Sequence, residues 1–96
     1  MSIMNRSVKV KIKVYMTLPE TLGWKEKIIE LPRDKSTFRD LLDKLEDIKK
    51  IKDDLEKKGW RLIILVNGKH IEFLNGMDTV LNDGDEIAIF PPAAGG

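Results

Sequence analysis

The chain contains no cysteine. Disulfides, thiolate metal sites and cysteine nucleophiles are excluded together by that single absence. Histidine, the commonest proton shuttle and metal ligand, occurs once, as His70. Neither sign of charge is in excess, because 17 Lys and Arg against 16 Asp and Glu leave a formal net charge of +1. Nucleic acids and anionic membrane surfaces select a sizeable one-signed field, so neither is expected as a partner. No apolar run approaches the roughly 20 residues that cross a bilayer. The stretch from Met1 to Ser7 lacks the apolar segment of a secretory signal, and the expectation is a cytoplasmic protein. Glutamine is missing as well, beside abundant Lys, Glu, Asp and Ile, a bias that leans toward a thermophilic source.

What remains is 96 residues, 42% apolar and 34% charged. This is enough for one core with little surplus, and too rich in Ile, Leu and Val for a disordered chain. A single domain over residues 1–96 is expected, with residues 1–6 as a candidate disordered segment and residues 91–96 as an extended tail.

Val8, Val10, Ile12 and Val14 alternate with Lys9, Lys11 and Lys13, the period-two mark of a strand with one buried and one wet face. Leu18 to Gly23 reads as a turn and Lys25 to Leu31 as a returning strand, whose faces stay unassigned because Ile28 and Ile29 are adjacent. Ser36 or Thr37 offers a hydroxyl to the free amides of a helix start. Phe38, Leu41, Leu42, Leu45 and Ile48 then recur at helical spacing. Ile51 and Leu55 extend this into a second short helical segment ending at Gly59. Trp60 to Val66 reads as a third strand. Asn67-Gly68 suits a two-residue hairpin turn with positive φ at both places, and Lys69 to Phe73 reads as the strand that follows. After turns at Asn75-Gly76 and Asn82 to Asp85, Glu86 to Phe90 reads as the last strand, stopped by Pro91-Pro92. The order predicts the α+β class in a β-grasp arrangement: a mixed sheet of four to five strands with one main helix packed on one face, and the first and last strands adjacent.

Residues for conventional catalysis are scarce. His70 is opposite in parity to Ile71 and Phe73 and reads as a solvated side chain. Asp83, Asp85 and Glu86 have no EF-hand spacing and suit turn hydrogen bonding. Ser36 and Thr37 have no basic partner nearby, so a helix cap is expected there and not a nucleophile. Gly-rich phosphate signatures are missing. No metal site and no bound cofactor are expected.

The end of the chain is different. Phe90-Pro91-Pro92-Ala93-Ala94-Gly95-Gly96 leaves a strand through two stiffening prolines and finishes in small residues. In polyproline II geometry at about 3.1 Å per residue, the six residues after Phe90 reach roughly 18 Å. Gly95 and Gly96 carry no side chain, so a narrow channel could admit this backbone to a buried reaction centre. Two terminal glycines arise by chance in about one chain in two hundred, at a Gly usage of about 7%. Parity adds a surface. With Leu62, Ile64, Val66, Ile87 and Ile89 facing the core, Ile63, Leu65, Ala88 and Phe90 face outward. Ile63, Leu65 and Phe90 would form an apolar patch near the root of the tail, the alternative being a loop over Ile63 and Leu65 or a strand buried on both faces.

Val66-Asn67-Gly68, Asp83-Gly84-Asp85-Glu86 and Phe90-Pro91-Pro92-x-x-Gly95-Gly96 resemble the MoaD-like small subunit of molybdopterin synthase, a ubiquitin-like sulfur carrier. The likeness is sharp over about the last thirty residues. It is compatible with Thr37-Phe38-x-x-Leu41-Leu42 at the helix start, while Ile51 to Lys58 falls where such proteins vary. The resemblance implies a protein co-substrate and not an enzyme. An E1-like enzyme would use ATP to adenylate the Gly96 carboxylate, which would then become a thiocarboxylate. Its sulfur would pass to a pterin precursor in the large subunit of the synthase. Gly95 would accompany Gly96 as the reactive end, with Phe90, Pro91, Pro92, Leu65 and Ile63 at the partner interface. The same adenylate serves a ubiquitin-like modifier joined to lysines, or a carrier for tRNA thiolation or thiamine. A purely structural adaptor is a further alternative. The paired prolines favour the molybdopterin branch.

Overall fold

A computed structural model describes residues 7–92. Strand β1 (Ser7–Val14) lies near the middle of a five-stranded sheet with β2 (Glu26–Pro32), β3 (Ile63–Val66), β4 (Lys69–His70) and β5 (Glu86–Phe90), in the order β2-β1-β5-β3-β4. β1 pairs antiparallel with β2, placing Val8 opposite Leu31, and parallel with β5, placing Ile12 opposite Ile87. β3 runs antiparallel to β5, with Ile64 opposite Ile89. The parallel central pair needs a crossover over one face. The chain between β2 and β3 supplies it as α2 (Phe38–Asp43) and α3 (Glu46–Lys57). This is the β-grasp arrangement, with first and last strands adjacent as the order of elements predicts.

The alternation in β1 translates directly into burial: Val8, Val10, Ile12 and Val14 are all in the core, joined there by Ile64, Val66, Ile87 and Ile89 from the neighbouring strands. Phe38, Leu41, Leu42, Leu45 and Ile48 close the core from the helical layer. The register also settles the two adjacent isoleucines of β2. Ile29 sits opposite Val10 and packs against the core, whereas Ile28 sits opposite Lys11 and is exposed.

Four segments differ from the sequence expectation. The strand expected from Trp60 begins only at Ile63, the Trp60 N–H being bonded back to the Leu55 carbonyl at 2.9 Å, and three other segments change type. Leu18–Leu22 is a short helix, α1, and not a plain turn, with Pro19 in its first turn and Gly23 beyond it at φ 86°. Those residues are the usual bookends of a helix, and buried Leu18 anchors it. The helical run from Phe38 is interrupted at Leu45, whose φ of −122° and ψ of 69° separate α2 from α3. The helical spacing survives the break, so every apolar residue in the run still reaches the core. The expected strand from Lys69 to Phe73 ends after His70. Ile71–Phe73 forms a 3₁₀ turn that buries Ile71 and leaves Phe73 86% exposed. Its start is capped by His70, whose Nδ1 accepts the Glu72 N–H at 3.1 Å. His70 is half-buried with this capping role, so it is more than a solvated side chain.

Thr37, and not Ser36, caps α2. Its hydroxyl oxygen accepts the Asp40 N–H at 3.2 Å, and the Asp40 carboxylate accepts the Thr37 N–H at 3.0 Å and its O–H at 2.8 Å. These backbone and side-chain hydrogen bonds from Thr37 hold the Asp40 carboxyl below its ordinary range. A lowered carboxyl pKa contributes stability above the unfolded value and loses it as pH falls through the folded one. Thr37→Ala is expected to cost about 1 kcal/mol. Urea unfolding read at neutral and acid pH checks this: the gap between variant and parent should narrow in acid.

Candidate functional site at the root of the carboxyl tail

The site is built from the end of β5 and the strands beside it. The Asn67-Gly68 turn has φ of 51° and 87°, as a two-residue hairpin turn requires. Asn67 also locks the start of β5. Its N–H donates to the Glu86 carbonyl at 2.8 Å, its side-chain oxygen accepts the Glu86 N–H at 2.9 Å, and its Nδ2 donates to Asp85 at 2.8 Å. Asp85 further accepts the Asn82 N–H, and Asp83 accepts the Lys9 N–H, each at 2.8 Å. The acidic turn is thus occupied with its own backbone and neighbours. Among the described residues no three His, Asp or Glu side chains are grouped to hold a metal ion.

From that anchored start, β5 runs between β1 and β3 and delivers Phe90 to the outward face. Ile63 lies opposite Phe90, and Leu65 opposite Ala88. The structure therefore brings together Ile63, Leu65, Ala88 and Phe90, as parity predicts. They are half-buried and not fully exposed, because cross-strand neighbours shield one another. His70, opposite Leu65, stands at the margin of this patch. On the other side Lys13 pairs with Glu86 at 2.8 Å. Through that hydrogen bond first and the opposite charge second, the contact raises the Lys13 pKa and lowers that of Glu86. With Lys13 half-buried and Glu86 exposed, the pair bounds the patch without adding much stability.

Tyr15 completes the site, and no sequence motif announces it. Its ring stacks on Phe90 with centroids 4.7 Å apart and planes 11° from parallel. The available signal is β1 parity carried one step beyond Val14, which puts Tyr15 on the outward side with Lys11 and Lys13. Pro91 and Pro92 follow Phe90 half-buried; Gly95 and Gly96 lie outside the described residues.

A separate cavity of about 490 Å³ opens between the end of α3, β3 and the 3₁₀ turns. It shares none of Ile63, Leu65, Phe90 or Tyr15, and its charged side chains are mutually paired: Lys52 with Glu56 at 2.7 Å, Arg61 with Glu72 at 3.1 Å. No nucleophile with a base lines it. Among the described residues no helix is long and apolar enough to cross a membrane.

A compact β-grasp body that presents its last strand beside an apolar face defines the ubiquitin-like class. Residues 12–96 match the model of the ThiS family, and the chain belongs to that family. It is 33% identical over 94 residues to small archaeal modifier protein 3 of Haloferax volcanii, covering 93% of this chain and 100% of that protein. It is 35% identical over 91 residues to the molybdopterin synthase sulfur carrier subunit of Dictyostelium discoideum, covering 94% and 99% respectively. The solution structure of small archaeal modifier protein 1 from Methanosarcina acetivorans matches at a TM-score of 0.70 and 31% identity, over 96% of this chain and 100% of that one. The family resemblance read from the Asn67-Gly68 turn and the tail therefore holds across most of the chain.

Proposed function

We propose that this protein is a sulfur carrier for molybdopterin synthesis and that its working group is the carboxylate of Gly96. The observation that carries the reading is the placement of β5. A strand held on both sides ends in a half-buried apolar patch and hands the chain through Pro91-Pro92 toward Gly95-Gly96. The family match running through residue 96 and the likeness to a molybdopterin synthase sulfur carrier subunit support it.

The chemistry suits a group carried by one protein and processed by others. An α-carboxylate has a pKa near about 3.5, is ionised at neutral pH and is a poor electrophile. An E1-like partner lets a carboxylate oxygen attack the α-phosphorus of ATP, so that an acyl-adenylate forms and pyrophosphate leaves. Hydrosulfide, or its enzyme-bound equivalent, then attacks the acyl carbon; the C–S bond forms, the bond to AMP breaks, and a thiocarboxylate results. The large synthase subunit receives the tail and directs that sulfur to a pterin precursor. This chain acts as a co-substrate in the cytoplasm. It brings the reacting carbon and a docking face, while ATP and catalytic side chains belong to the partners.

Ile63, Leu65 and Phe90 form that docking face, with Pro91 and Pro92 at its exit. Leu65→Asp places a charge in the centre of the patch and is expected to weaken partner binding by roughly 30-fold or more; Phe90→Ala follows in the same direction. Calorimetric titration of each variant against the synthase large subunit checks this, and undiminished affinity in both rules the surface out.

The likeness to small archaeal modifier proteins favours a second reading, in which Gly96 is joined to lysines of other proteins. Both routes share the adenylate. Intact-mass analysis after incubation with ATP, a sulfur donor and the host's E1-like enzyme separates them. A gain of about 16 Da marks exchange of oxygen for sulfur. Covalent ladders in extract that need Gly96 mark conjugation. Neither product on the wild-type chain would sink both readings.

A further inference from the structure

Tyr15 is tied to the end of β5 through both its backbone and its ring. Its N–H donates to the Ile89 carbonyl at 3.1 Å, one residue beyond the Val14–Ile89 register pair. Its ring lies nearly flat on Phe90 at 4.7 Å. On its other side the Tyr15 carbonyl accepts the Leu18 N–H at 3.2 Å, and Leu18 is buried at the start of α1. The chain must therefore leave a strand, keep Tyr15 against Phe90, and reverse into α1 within Met16 and Thr17. Met16 bears the consequence. Its φ is 62°, a left-handed conformation that costs a side chain without a local hydrogen-bonding group. Its own side chain is 74% exposed, so burial of Met16 does not explain the strain. Such conformations persist where the surroundings over-determine them, and they concentrate at functional sites.

Phe90 is the last residue of β5, and two prolines follow it. Proline fixes its own φ near about −65° and restricts the residue before it to extended conformations. With those torsions restricted, the direction in which Pro91 and Pro92 leave the sheet depends on how Phe90 is held. Ile63 neighbours Phe90 through the strand pairing on one side, and Tyr15 grips it on the other.

We infer that Tyr15 is a positioning residue: by stacking on Phe90 while bonded to Ile89, it sets the direction in which the tail leaves the body. It thereby sets the fraction of docked encounters in which Gly96 enters a partner's reaction centre. This deepens the proposed function and rests on the terminus being the delivered group, but the geometric part can be measured without any sulfur chemistry.

The absence of native cysteine makes paired spin labelling direct. Labels at Lys50→Cys on the exposed side of α3 and at Ala94→Cys in the tail report the spread of tail directions by pulsed dipolar spectroscopy. Against the parent, Tyr15→Ala and Tyr15→Leu should broaden the distance distribution by about 1.5-fold or more, and Tyr15→Phe, which keeps the flat ring, should restore the parent width. The leucine variant keeps an apolar side chain and carries the comparison should the alanine variant fail to fold. Equal widths in all variants overturn the inference, and so does a Phe variant as broad as Leu. In label-free protein, adenylation by the activating enzyme should show kcat lowered about tenfold in Tyr15→Leu, with KM within about twofold. The reverse split would make Tyr15 a mere docking contact. Failure of the wild-type terminus to be adenylated would defeat the proposed function, yet leave the label widths to decide the role of Tyr15.

Discussion

Deleting Gly96, or Gly95 with Gly96, is expected to lower thiocarboxylate formation by at least about a thousandfold while leaving the thermal unfolding midpoint unchanged. The shortened chain still ends in an α-carboxylate, so the loss does not come from removing the functional group. It comes from reach: each residue removed withdraws the carboxylate by about 3.3–3.6 Å. Misplacement of a reacting atom by as little as about 1 Å can cost on the order of a hundredfold. Truncation to Gly95 also leaves one residue without a side chain at the end where the sequence has two. Stability is spared because the residues concerned follow the last strand and the core closes upstream, at Ile87 and Ile89. Single-turnover assays with the activating enzyme, beside thermal scans of the same samples, check both halves of the expectation.

The second large effect is expected far from the tail. Phe38 is fully buried at the first position of α2, where the Thr37 cap and the sheet meet, and its N–H donates to the Thr79 carbonyl at 2.9 Å. Phe38→Ala removes a ring from a close-packed interior that cannot collapse around the space, at a cost of about 3–5 kcal/mol. A domain of this size has roughly 5–15 kcal/mol in total. Each kcal/mol moves the midpoint by about 4–8 °C, so a fall of roughly 20 °C is expected in a calorimetric scan. At temperatures where the variant stays folded, the tail should still be adenylated at near-parent rates, because Phe38 lies in the core and takes no part in the patch of Ile63, Leu65 and Phe90. The two variants form a complementary pair: one leaves the fold and loses the chemistry, the other keeps the chemistry and loses much of the fold.

How far the sequence alone reaches can be traced residue by residue. The Val8 to Val14 alternation, the apolar spacing from Phe38 to Ile48 and the Asn67-Gly68 pair each report a local period or a local φ requirement, and each was legible in advance. The central placement of β1 and β5 follows from the order of elements. What escaped lies in segments too short or too irregular to carry a period of their own. The break at Leu45 leaves the helical spacing intact, so periodicity cannot see it. The 3₁₀ turn after His70 arises where an imidazole captures the Glu72 N–H, and the alternation of Ile71 with Phe73 then mimics a strand whose second member is in solvent. At α1 the signals were present in Pro19 and Gly23, but five residues of helix carry too little periodicity to outweigh a turn reading.

The candidate site divides in the same way. Ile63, Leu65, Ala88 and Phe90 were legible because parity in two paired strands is a local property; the expectation at Gly95 and Gly96 lies outside the described residues. Tyr15 was not. Its role depends on a parallel register between β1 and β5 that brings residues 75 positions apart into ring contact, and on the reversal at Met16 that keeps it there.

The central claim concerns one atom group, so the most direct measurement locates it. Wild-type protein treated with ATP, sulfur donor and the host's activating enzyme is digested, and its peptides are fragmented in the mass spectrometer. The account predicts a gain of about 16 Da confined to fragments that contain Gly96 and absent from every fragment ending before it. Sulfur recovered on any other residue, or a fully active preparation whose terminal fragment keeps its unmodified mass, would contradict it.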